Sequence, residues 1–346
     1  MALKVVVSGA AGQIAYSLLP LLCRGLVFGP SERLEIRLLD IPAAEKALQG
    51  VKMELEDCAF ELTESIVPTS SVEIAFRDVD AAILLGGFPR KEGMQRRDLI
   101  AKNAIIFKAQ GEALEKYANR NVKVLVVANP ANTNCWITMK HAPRIPRRNF
   151  TALTRLDQER LRAVLCQQLN GERYAFGKIS PSDVSKCIIW GNHSSTQVPD
   201  CTFARIHLPE GSLGEQQVSK KIAESSLDII THVRERGAKV LQARKLSSAM
   251  SAASAIAAHL RDWFHGDQAS MDSQDFISMA VCSDDNKYGI PCDLIYSFPV
   301  RCLGKGEYQI VSDLQVSASI QSAMNASAEE LLLEKMDALA MVSSPI

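Results

Sequence analysis

The chain has 346 residues, and its 39 Lys and Arg balance its 39 Asp and Glu, so the formal net charge is zero. Domains usually contain roughly 100 to 200 residues, so this length predicts two of them. Neutrality argues against a nucleic-acid partner, because nucleic acids are bound largely through many cations that contact phosphates. The sequence also lacks the uninterrupted run of roughly 18 apolar residues that a membrane span requires.

The cysteines and histidines are dispersed. The nine cysteines form no CxxC pair, and neither residue type forms a cluster with metal-ligand spacing. We therefore expect reduced thiols, no disulfide framework and no metal site. The chain opens MALKVVVSGA, which passes directly into a strand pattern with no signal or transit peptide ahead of it. These features predict a cytoplasmic protein.

The first motif along the chain is a strand, a tight turn and a helix. Leu3–Ser8 is a short β-branched run, and Gln13–Arg24 has helical spacing with Pro20 as a kink. The turn between them reads GAAG, from Gly9 to Gly12. Small residues let the backbone approach a ligand closely, and a helix N-terminus suits a pyrophosphate. The pattern is not the full GxGxxG, so a plain tight turn explains it about as well.

A second feature strengthens the nucleotide hypothesis. Leu34–Asp40 reads LEIRLLD, a strand that ends in an acid. An acid at this position accepts both ribose hydroxyls of an adenosine and repels a 2′-phosphate, which favours NAD over NADP. Asp40 lies further from the glycines than the usual ~20 residues, because the loop 25–33 is inserted between them. The alternative role for Asp40 is to cap the next turn.

Strands and helices then alternate. Asp80–Leu85 and Val122–Ala128 are strand-like apolar runs, and Met94–Ala118 between them has helical spacing. This alternation predicts an α/β fold with a doubly wound, parallel Rossmann sheet. We expect an NAD-binding domain over residues 1–150 and an α+β substrate domain over residues 151–346.

Three loops follow strand ends in this arrangement. They are GAAG, the cationic FPRKEGMQRRD at 88–98 and NPANTN at 129–134. In doubly wound sheets, ligands bind beyond the carboxyl ends of the strands. The sequence therefore places four cations of an electrically neutral chain at the expected ligand crevice.

A helix and a strand end supply the candidate chemistry. Thr154–Leu169 is amphipathic, and its Asp157 and Arg160 share a face because they are three residues apart. Read alone, they form a surface ion pair worth a few tenths of a kcal/mol. Lys186–Trp190 is a buried-strand pattern followed by GNHSS, which places His193 between small residues at a strand end.

These three side chains make chemical sense together. A carboxylate such as Asp157 on one ring nitrogen fixes the tautomer of His193, and the other nitrogen is left to take or give a proton. The planar fork of Arg160 suits a substrate carboxylate. Beside a nicotinamide, these are the parts needed to oxidise a 2-hydroxy acid.

Two C-terminal segments are predicted as helices without assigned chemistry. Lys245–Trp263 is rich in Ala and Ser, which allows close helix packing within the domain or across a subunit interface. Ser319–Leu339 ends in an acidic stretch that reads as an exposed helix.

Ordered motifs run along nearly the whole chain. They read GAAGQIAYSLLP, LLDIP, ELEDCAF, PRKEGMQRRDL, VVANPANTN, LTRLDQER, IIWGNHSSTQ, KLSSAMSAASAIAAH and YGIPCDLIYSFPV. This set resembles the malate dehydrogenases, in particular their cytosolic type. The resemblance implies a reversible, NAD-dependent conversion of malate to oxaloacetate, and such enzymes are usually homodimers.

The resemblance also implies a role for each site residue. His193 would be the proton acceptor and donor, with Asp157 as its partner. Arg160 would bind the carboxylate next to the reacting carbon, Arg96 would lie near the reacting oxygen and Arg90 would bind the second carboxylate. Residues implied around NAD are Gly9, Gly12, Gln13, Ile14, Ala15, Asp40, Asn103, Gln110 and Asn129, of which Asn129 also touches substrate.

The resemblance also explains why cations are concentrated in the segment 88–98. A dicarboxylate needs a second cation, and Arg90 and Arg96 lie on a segment with glycine hinges, as a closing lid requires. In a lactate-type site, which lacks the second substrate carboxylate, Arg90 would be buried without a partner, at a high cost. Arg90 therefore favours a dicarboxylate substrate.

Three alternatives remain open. One is a relative with a shifted substrate, such as an aromatic 2-oxo acid, and another is an NAD-binding scaffold without activity. The third is a short-chain reductase, suggested by the spacing of Tyr174 and Lys178, but Gly177 and Pro181 interrupt the helix that this pair requires. Two segments also depart from the family pattern: 170–183 is longer than expected, and PAAEKAL at 42–48 is unusual.

Overall fold

The structure is a computed structural model, and it describes residues 2–89, 94–171, 179–208, 211–213, 228–266 and 275–342. Its strands are β1 (Leu3–Ser8), β2 (Leu34–Leu39), β3 (Thr63–Thr69), β4 (Ala81–Leu84), β5 (Lys123–Val126), β6 (Phe150–Ala152), β7 (Val184–Ser185), β8 (Ile188–Trp190), β9 (Val198–Asp200), β10 (Arg205–Leu208), β11 (Gly211–Leu213), β12 (Ile277–Cys282), β13 (Ile295–Gly304) and β14 (Glu307–Ile310). The α-helices within these ranges are α1 (Gln13–Cys23), α2 (Glu45–Asp57), α3 (Val72–Phe76), α4 (Arg96–Tyr117), α5 (Ala131–Lys140), α6 (Arg155–Gly171), α7 (Ile229–Arg244), α8 (Met250–His265) and α9 (Ala318–Val342).

The six N-terminal strands form one parallel sheet in the order β3-β2-β1-β4-β5-β6. The chain reverses its direction of winding between β1 and β4, where a doubly wound sheet binds its ligand. The prediction of a Rossmann-type α/β fold is confirmed. The predicted strands Leu34–Asp40, Asp80–Leu85 and Val122–Ala128 correspond to β2, β4 and β5, each within one or two residues.

The same sheet continues into the C-terminal half. Strand β12 pairs antiparallel with β6, and β13 and β14 extend the sheet beyond it. Two smaller sheets, β11-β10-β7 and β8-β9, carry the rest of the described strands. The predicted division after residue 150 falls inside β6, and it stays a prediction.

The core lies on both faces of the sheet because successive strand residues point to opposite sides. Val5 and Val7 pack on the face that also holds Trp263 of α8, whereas Val6 packs on the face that holds Phe107 of α4. All of these side chains are fully buried. The sheet edge that carries the strand ends is therefore a rigid base for a site.

The predicted helical run Lys245–Trp263 forms a helix only from Met250 onward. Helix α7 ends at Arg244, Lys245 takes a left-handed conformation with φ 60°, and α8 begins only at Met250. The turn between the helices brings the hydroxyl of Ser248 to 3.4 Å from Nη2 of Arg160. The local pattern did not contain this tertiary contact.

The C-terminal helix α9 packs against α4 and α5. It also passes close to the loop that follows β8, where Gly191 has φ +93° and an added Cβ would lie 2.2 Å from Oγ of Ser327. The expectation of an exposed acidic helix is wrong for Glu334, whose side chain is only 6% exposed. Glu334 is buried because it faces the polar groups of α5 and of this loop.

Candidate active site

The carboxyl ends of β1 and β4 meet at two glycines. Gly9 has φ +68°, and a Cβ built there would lie 2.6 Å from the backbone nitrogen of Gly86. The Gly86 N–H donates to the Ser8 hydroxyl at 3.2 Å. Only glycine allows this approach, because any side chain at position 9 would collide with the neighbouring strand end. In doubly wound sheets that bind a dinucleotide, a phosphate lies at the corresponding point.

The start of α1 is open to an anion. Gly12 caps the helix without a side-chain hydrogen bond, so among the described residues no capping side chain covers the first-turn N–H groups of Gln13, Ile14 and Ala15. Free N–H groups and the positive end of the helix dipole favour a phosphate here. The donor set therefore fits a dinucleotide.

Asp40 lies beside this glycine turn. Its Oδ2 accepts a hydrogen bond from the Ala11 N–H at 3.0 Å, and its Oδ1 accepts one from the Ile41 N–H at 2.8 Å. The carboxylate thus contacts both the glycine turn and its own following turn. Each oxygen keeps a second lone pair, which leaves acceptor capacity for ribose hydroxyls.

Asn103 and Gln110 connect loops rather than project freely. The Asn103 amide donates to the carbonyls of Phe88 and Asn129, each at 3.2 Å, and its oxygen accepts from the Phe88 N–H at 2.7 Å. Gln110 accepts from the Ser8 hydroxyl at 3.4 Å. Both side chains are buried, whereas Asn129 is exposed. Their contacts with a cofactor stay predictions, and their observed contacts hold three strand ends together.

The carboxylate of Asp157 joins the two other predicted catalytic groups. Nδ1 of His193 donates to its Oδ2, and Nη1 of Arg160 donates to its Oδ1 at 3.0 Å. Asp157 lies in the first turn of α6, and His193 follows β8 on another element. The predicted constellation of acid, histidine and arginine therefore forms in the fold.

Burial makes this more than a surface ion pair. The Asp157 side chain is fully buried, and that of Arg160 is 13% exposed. Burial alone would raise the pKa of Asp157, but the neighbouring His193 and Arg160 lower it further than burial raises it. A lowered pKa keeps this carboxylate ionised at neutral pH, as a partner that stabilises an imidazolium must be.

The matches to known families divide the chain into two parts. Residues 3–151 match the NAD-binding domain of lactate/malate dehydrogenases, and residues 154–342 match their α/β C-terminal domain. This chain belongs to the lactate/malate dehydrogenase family.

Similar proteins cover the whole length. The cytoplasmic malate dehydrogenase of Gallus gallus is 47% identical over 342 residues, which is 99% of this chain and 98% of that protein. That of Homo sapiens is 46% identical over 343 residues, with the same coverage. Among solved structures, malate dehydrogenase from Naegleria fowleri has 44% identity and a TM-score of 0.89, and 99% of each chain is covered. Lactate dehydrogenase from Trichomonas vaginalis in complex with NADH and oxamate has 32% identity and a TM-score of 0.89, also with 99% of each chain covered.

The three arginines predicted to bind substrate differ in where the structure places them. Arg160 faces Asp157, and Arg96 begins α4 with its Nε bonded to Glu334. Arg97, the neighbouring cation of the same segment, is 66% exposed and lies 3.3 Å from Asp337. Arg90 lies outside the described residues, as do Tyr174 and Lys178 of the reductase alternative.

Sequence reasoning missed two residues that this lactate/malate dehydrogenase fold brings to the site. Asn132 accepts from the His193 backbone N–H at 3.0 Å and donates to the Gly191 carbonyl at 3.3 Å, so it orients the histidine loop. Ser248 contacts Arg160, as described above. Asn132 lies in the NPANTN motif, which the sequence analysis placed at the ligand crevice. That predicted location is the signal that could have identified Asn132 as a site residue.

The described ranges also bear on metal binding and membrane insertion. Within them, no three His, Cys, Asp or Glu side chains gather as ligands for a metal ion. None of their helices combines the length and apolar character of a bilayer span. All nine cysteines are free thiols, and six of them are buried.

Proposed function

We propose that this chain is an NAD-dependent malate dehydrogenase that interconverts malate and oxaloacetate. The observation that carries the proposal is the single carboxylate of Asp157 bonded to both His193 and Arg160. Full-length identity of 46–47% to proteins named cytoplasmic malate dehydrogenase supports it.

The proton chemistry follows from the Asp157–His193 pair. Nδ1 of His193 is occupied by the carboxylate, so Nε2 is the nitrogen that takes the hydroxyl proton of malate. The ionised Asp157 stabilises the imidazolium that results. Bound NAD supplies the acceptor for the hydride that leaves the same carbon. In the reverse direction, the imidazolium of His193 returns the proton to the carbonyl oxygen of oxaloacetate.

The arginines orient the substrate. Arg160 binds the carboxylate beside the reacting carbon through guanidinium N–H groups other than those that donate to Asp157 and Ser248. Arg96 stabilises the reacting oxygen, and Arg90 binds the second carboxylate. A lactate dehydrogenase shares this fold at 32% identity, so the fold alone does not separate the two substrates. The charge at position 90 is what favours malate.

The cofactor site is proposed around the β1–β4 crevice. The turn from Gly9 to Gly12 and the first turn of α1 bind the pyrophosphate, and Asp40 accepts the adenosine ribose hydroxyls. Asn103, Gln110 and Asn129 line the way to the nicotinamide end. The carboxylate of Asp40 repels a 2′-phosphate, which favours NAD over NADP.

Location and assembly are part of the proposal. The curated relatives are named cytoplasmic, and we place this chain in the same compartment.

We also propose a homodimer with no nucleic-acid or membrane partner. A groove of about 330 Å3 runs between α1 and α2, and Tyr16, which lines it, is 47% exposed, while Met53 of α2 is 58% exposed. Met250, which begins a helix packed on α1, is 75% exposed. A second copy would cover these apolar groups, and sedimentation equilibrium tests for it.

A substrate panel tests the activity. The purified protein is mixed with NADH and with oxaloacetate, pyruvate, phenylpyruvate or 4-hydroxyphenylpyruvate, and NADH oxidation is followed. We expect oxaloacetate to give the highest kcat/KM. A preference for the aryl substrates would establish the shifted-substrate alternative, and no turnover of any substrate would establish the scaffold.

A further inference from the structure

Two glutamates on α9 face the loop that carries His193. Glu330 accepts hydrogen bonds from the Asn192 amide at 2.8 Å, from the Thr196 hydroxyl at 2.6 Å and from the Ser194 hydroxyl. Burial would raise the pKa of Glu330, but these hydrogen bonds and the charge of Arg96 lower it overall. Asn192 and Ser194 flank His193, so this carboxylate holds the loop on both sides of the histidine.

Glu334, one turn further along α9, connects different elements. One oxygen accepts from Nε of Arg96 and from the Asn192 amide, the latter at 3.0 Å. The other oxygen accepts from the Thr133 hydroxyl of α5. One carboxylate thus joins the arginine at the start of α4, the helix after the NPANTN loop and the residue next to His193.

Burial of the Glu334 carboxylate carries a free-energy cost that its partners must offset. A buried carboxylate must be compensated by partners, and Glu334 lies near a second carboxylate that shares the Asn192 amide. Arg96 is the cation bonded to Glu334. Nη2 of Arg96 is buried and has no hydrogen-bond partner among the residues that the structure describes. The guanidinium is therefore held from its Nε side, while a terminal nitrogen keeps unused donor capacity.

We propose that Glu334 is a positioning residue that fixes the Arg96 guanidinium relative to His193, so that a terminal nitrogen of Arg96 meets the reacting oxygen of the substrate. The inference rests on the proposed function, because it assigns Arg96 to that oxygen. It gives the C-terminal helix α9 a role in the active site without assigning any of its groups to direct contact with substrate.

A double-mutant cycle tests this coupling. Glu334→Gln removes the charge at nearly constant shape, and we expect kcat with oxaloacetate to fall about tenfold to a hundredfold, since a small misplacement of a site group costs up to that much. Arg96→Gln removes the donor itself and lowers kcat about a hundredfold or more. In the Arg96→Gln background, Glu334→Gln should change kcat by less than about twofold, because the residue through which it acts is gone. Single-turnover assays with enzyme in excess keep the slow variants measurable.

Two neighbours on α9 provide matched controls. Glu330→Gln acts mainly on the histidine loop, and Glu330 interacts with Arg96 only through its charge and not through a hydrogen bond, so its coupling to Arg96→Gln should be clearly weaker than that of Glu334→Gln. Glu329 is exposed on the same helix, and Glu329→Gln should leave kcat and the thermal midpoint unchanged. If Glu334→Gln does not fold, Glu334→Asp takes its place in the same cycle. Aspartate keeps the charge, but its side chain is one methylene shorter and its carboxylate lies further from Arg96, so we expect an intermediate loss of kcat.

The outcomes separate the two proposals. Losses from Glu334→Gln and Arg96→Gln that multiply would overturn the coupling while leaving the malate dehydrogenase activity intact. So would an unchanged kcat in Glu334→Gln. A wild-type protein that does not turn over oxaloacetate would instead overturn the proposed function, and the role of Glu334 in that reaction with it.

Discussion

Asp157 and His193 are separated by 36 residues in the chain, yet Oδ2 of the first accepts a hydrogen bond from Nδ1 of the second. The carboxylate is fully buried, so it can be satisfied only by protein partners. Because Arg160 takes its other oxygen, the ring, the acid and the arginine are held as one unit. The proposed function depends on this unit.

Replacing His193 should separate binding from chemistry. His193→Asn keeps a polar side chain but cannot exchange a proton near neutral pH, so turnover of oxaloacetate should fall by about 10²–10⁴-fold. NADH binding, measured by fluorescence titration, should change little, because the nucleotide contacts lie at the β1–β4 crevice. A variant that retains most of its activity would reject the acid–base role of this residue.

Position 90 should control the choice between dicarboxylate and monocarboxylate substrates. Arg90→Gln removes the cation proposed for the second carboxylate, so kcat/KM for oxaloacetate should fall far more than kcat/KM for pyruvate. The loss of a charge-assisted pair corresponds to about 1.5–3 kcal/mol, or roughly tenfold to a hundredfold. Arg97→Gln, which removes an exposed cation from the same region, is the control and should leave the ratio unchanged. Equal losses on both substrates would contradict discrimination by Arg90.

Asp40 should determine the preference between the two nicotinamide cofactors. Asp40→Ser removes the charge that repels a 2′-phosphate and keeps a hydroxyl that can contact the Ala11 N–H. We expect the ratio of kcat/KM for NADH over NADPH to fall, mainly through a weaker use of NADH and a stronger use of NADPH. The measurement is the pair of cofactor titrations at saturating oxaloacetate. An unchanged ratio would exclude the ribose contact.

A buried histidine away from the site should make folding sensitive to acid. Burial, with a smaller contribution from the charge of Arg155, lowers the pKa of His259 to about 3, and its Nε2 lies 3.2 Å from the Thr151 hydroxyl. In the unfolded chain its pKa is near 6.5, so below that pH the unfolded state binds a proton that the folded state does not. Its contribution to stability is therefore complete above pH 6.5 and is lost as the pH falls towards 3.

His259→Gln should remove that sensitivity. The amide can still bond to Thr151 but does not titrate, so the loss of unfolding free energy from pH 7 to pH 5 should be smaller than in the wild type by about 2 kcal/mol. Urea unfolding at both pH values and one fixed protein concentration measures it. The same pH dependence in both proteins would show that His259 is not the group responsible.

Local patterns predicted the N-terminal elements well because each is encoded by neighbouring residues. The β-branched run before Gly9 and the helical spacing after residue 94 appear as β1 and α4. Strand β3 was missed because Thr63–Thr69 is largely polar and contains Pro68. A proline is tolerated there because β3 is the last strand of the sheet, where one side needs no ladder hydrogen bonds.

The candidate site divides in the same way. The pairing of Asp157 with His193 followed from chemistry, since a histidine base needs an orienting acid, and the structure places them in contact. Glu334 was assigned to an exposed acidic helix, because the sequence EELLLEKMD places it among charged residues and nothing nearby in the sequence indicates that this acid is buried. Its partners Arg96, Thr133 and Asn192 lie 142 to 238 residues away, beyond the reach of any local pattern.

The amino-acid sequence by itself determined the period of each element, the glycine turn that a nucleotide needs and the chemical types available for catalysis. These properties depend on a residue and its near neighbours, so they can be predicted from the local sequence alone. Only the tertiary structure decided which carboxylate pairs with which cation and which acidic side chains are buried, because burial and pairing depend on how distant elements pack. The antiparallel extension of the sheet and the burial of Glu334 under the histidine loop are the two clearest results of that packing.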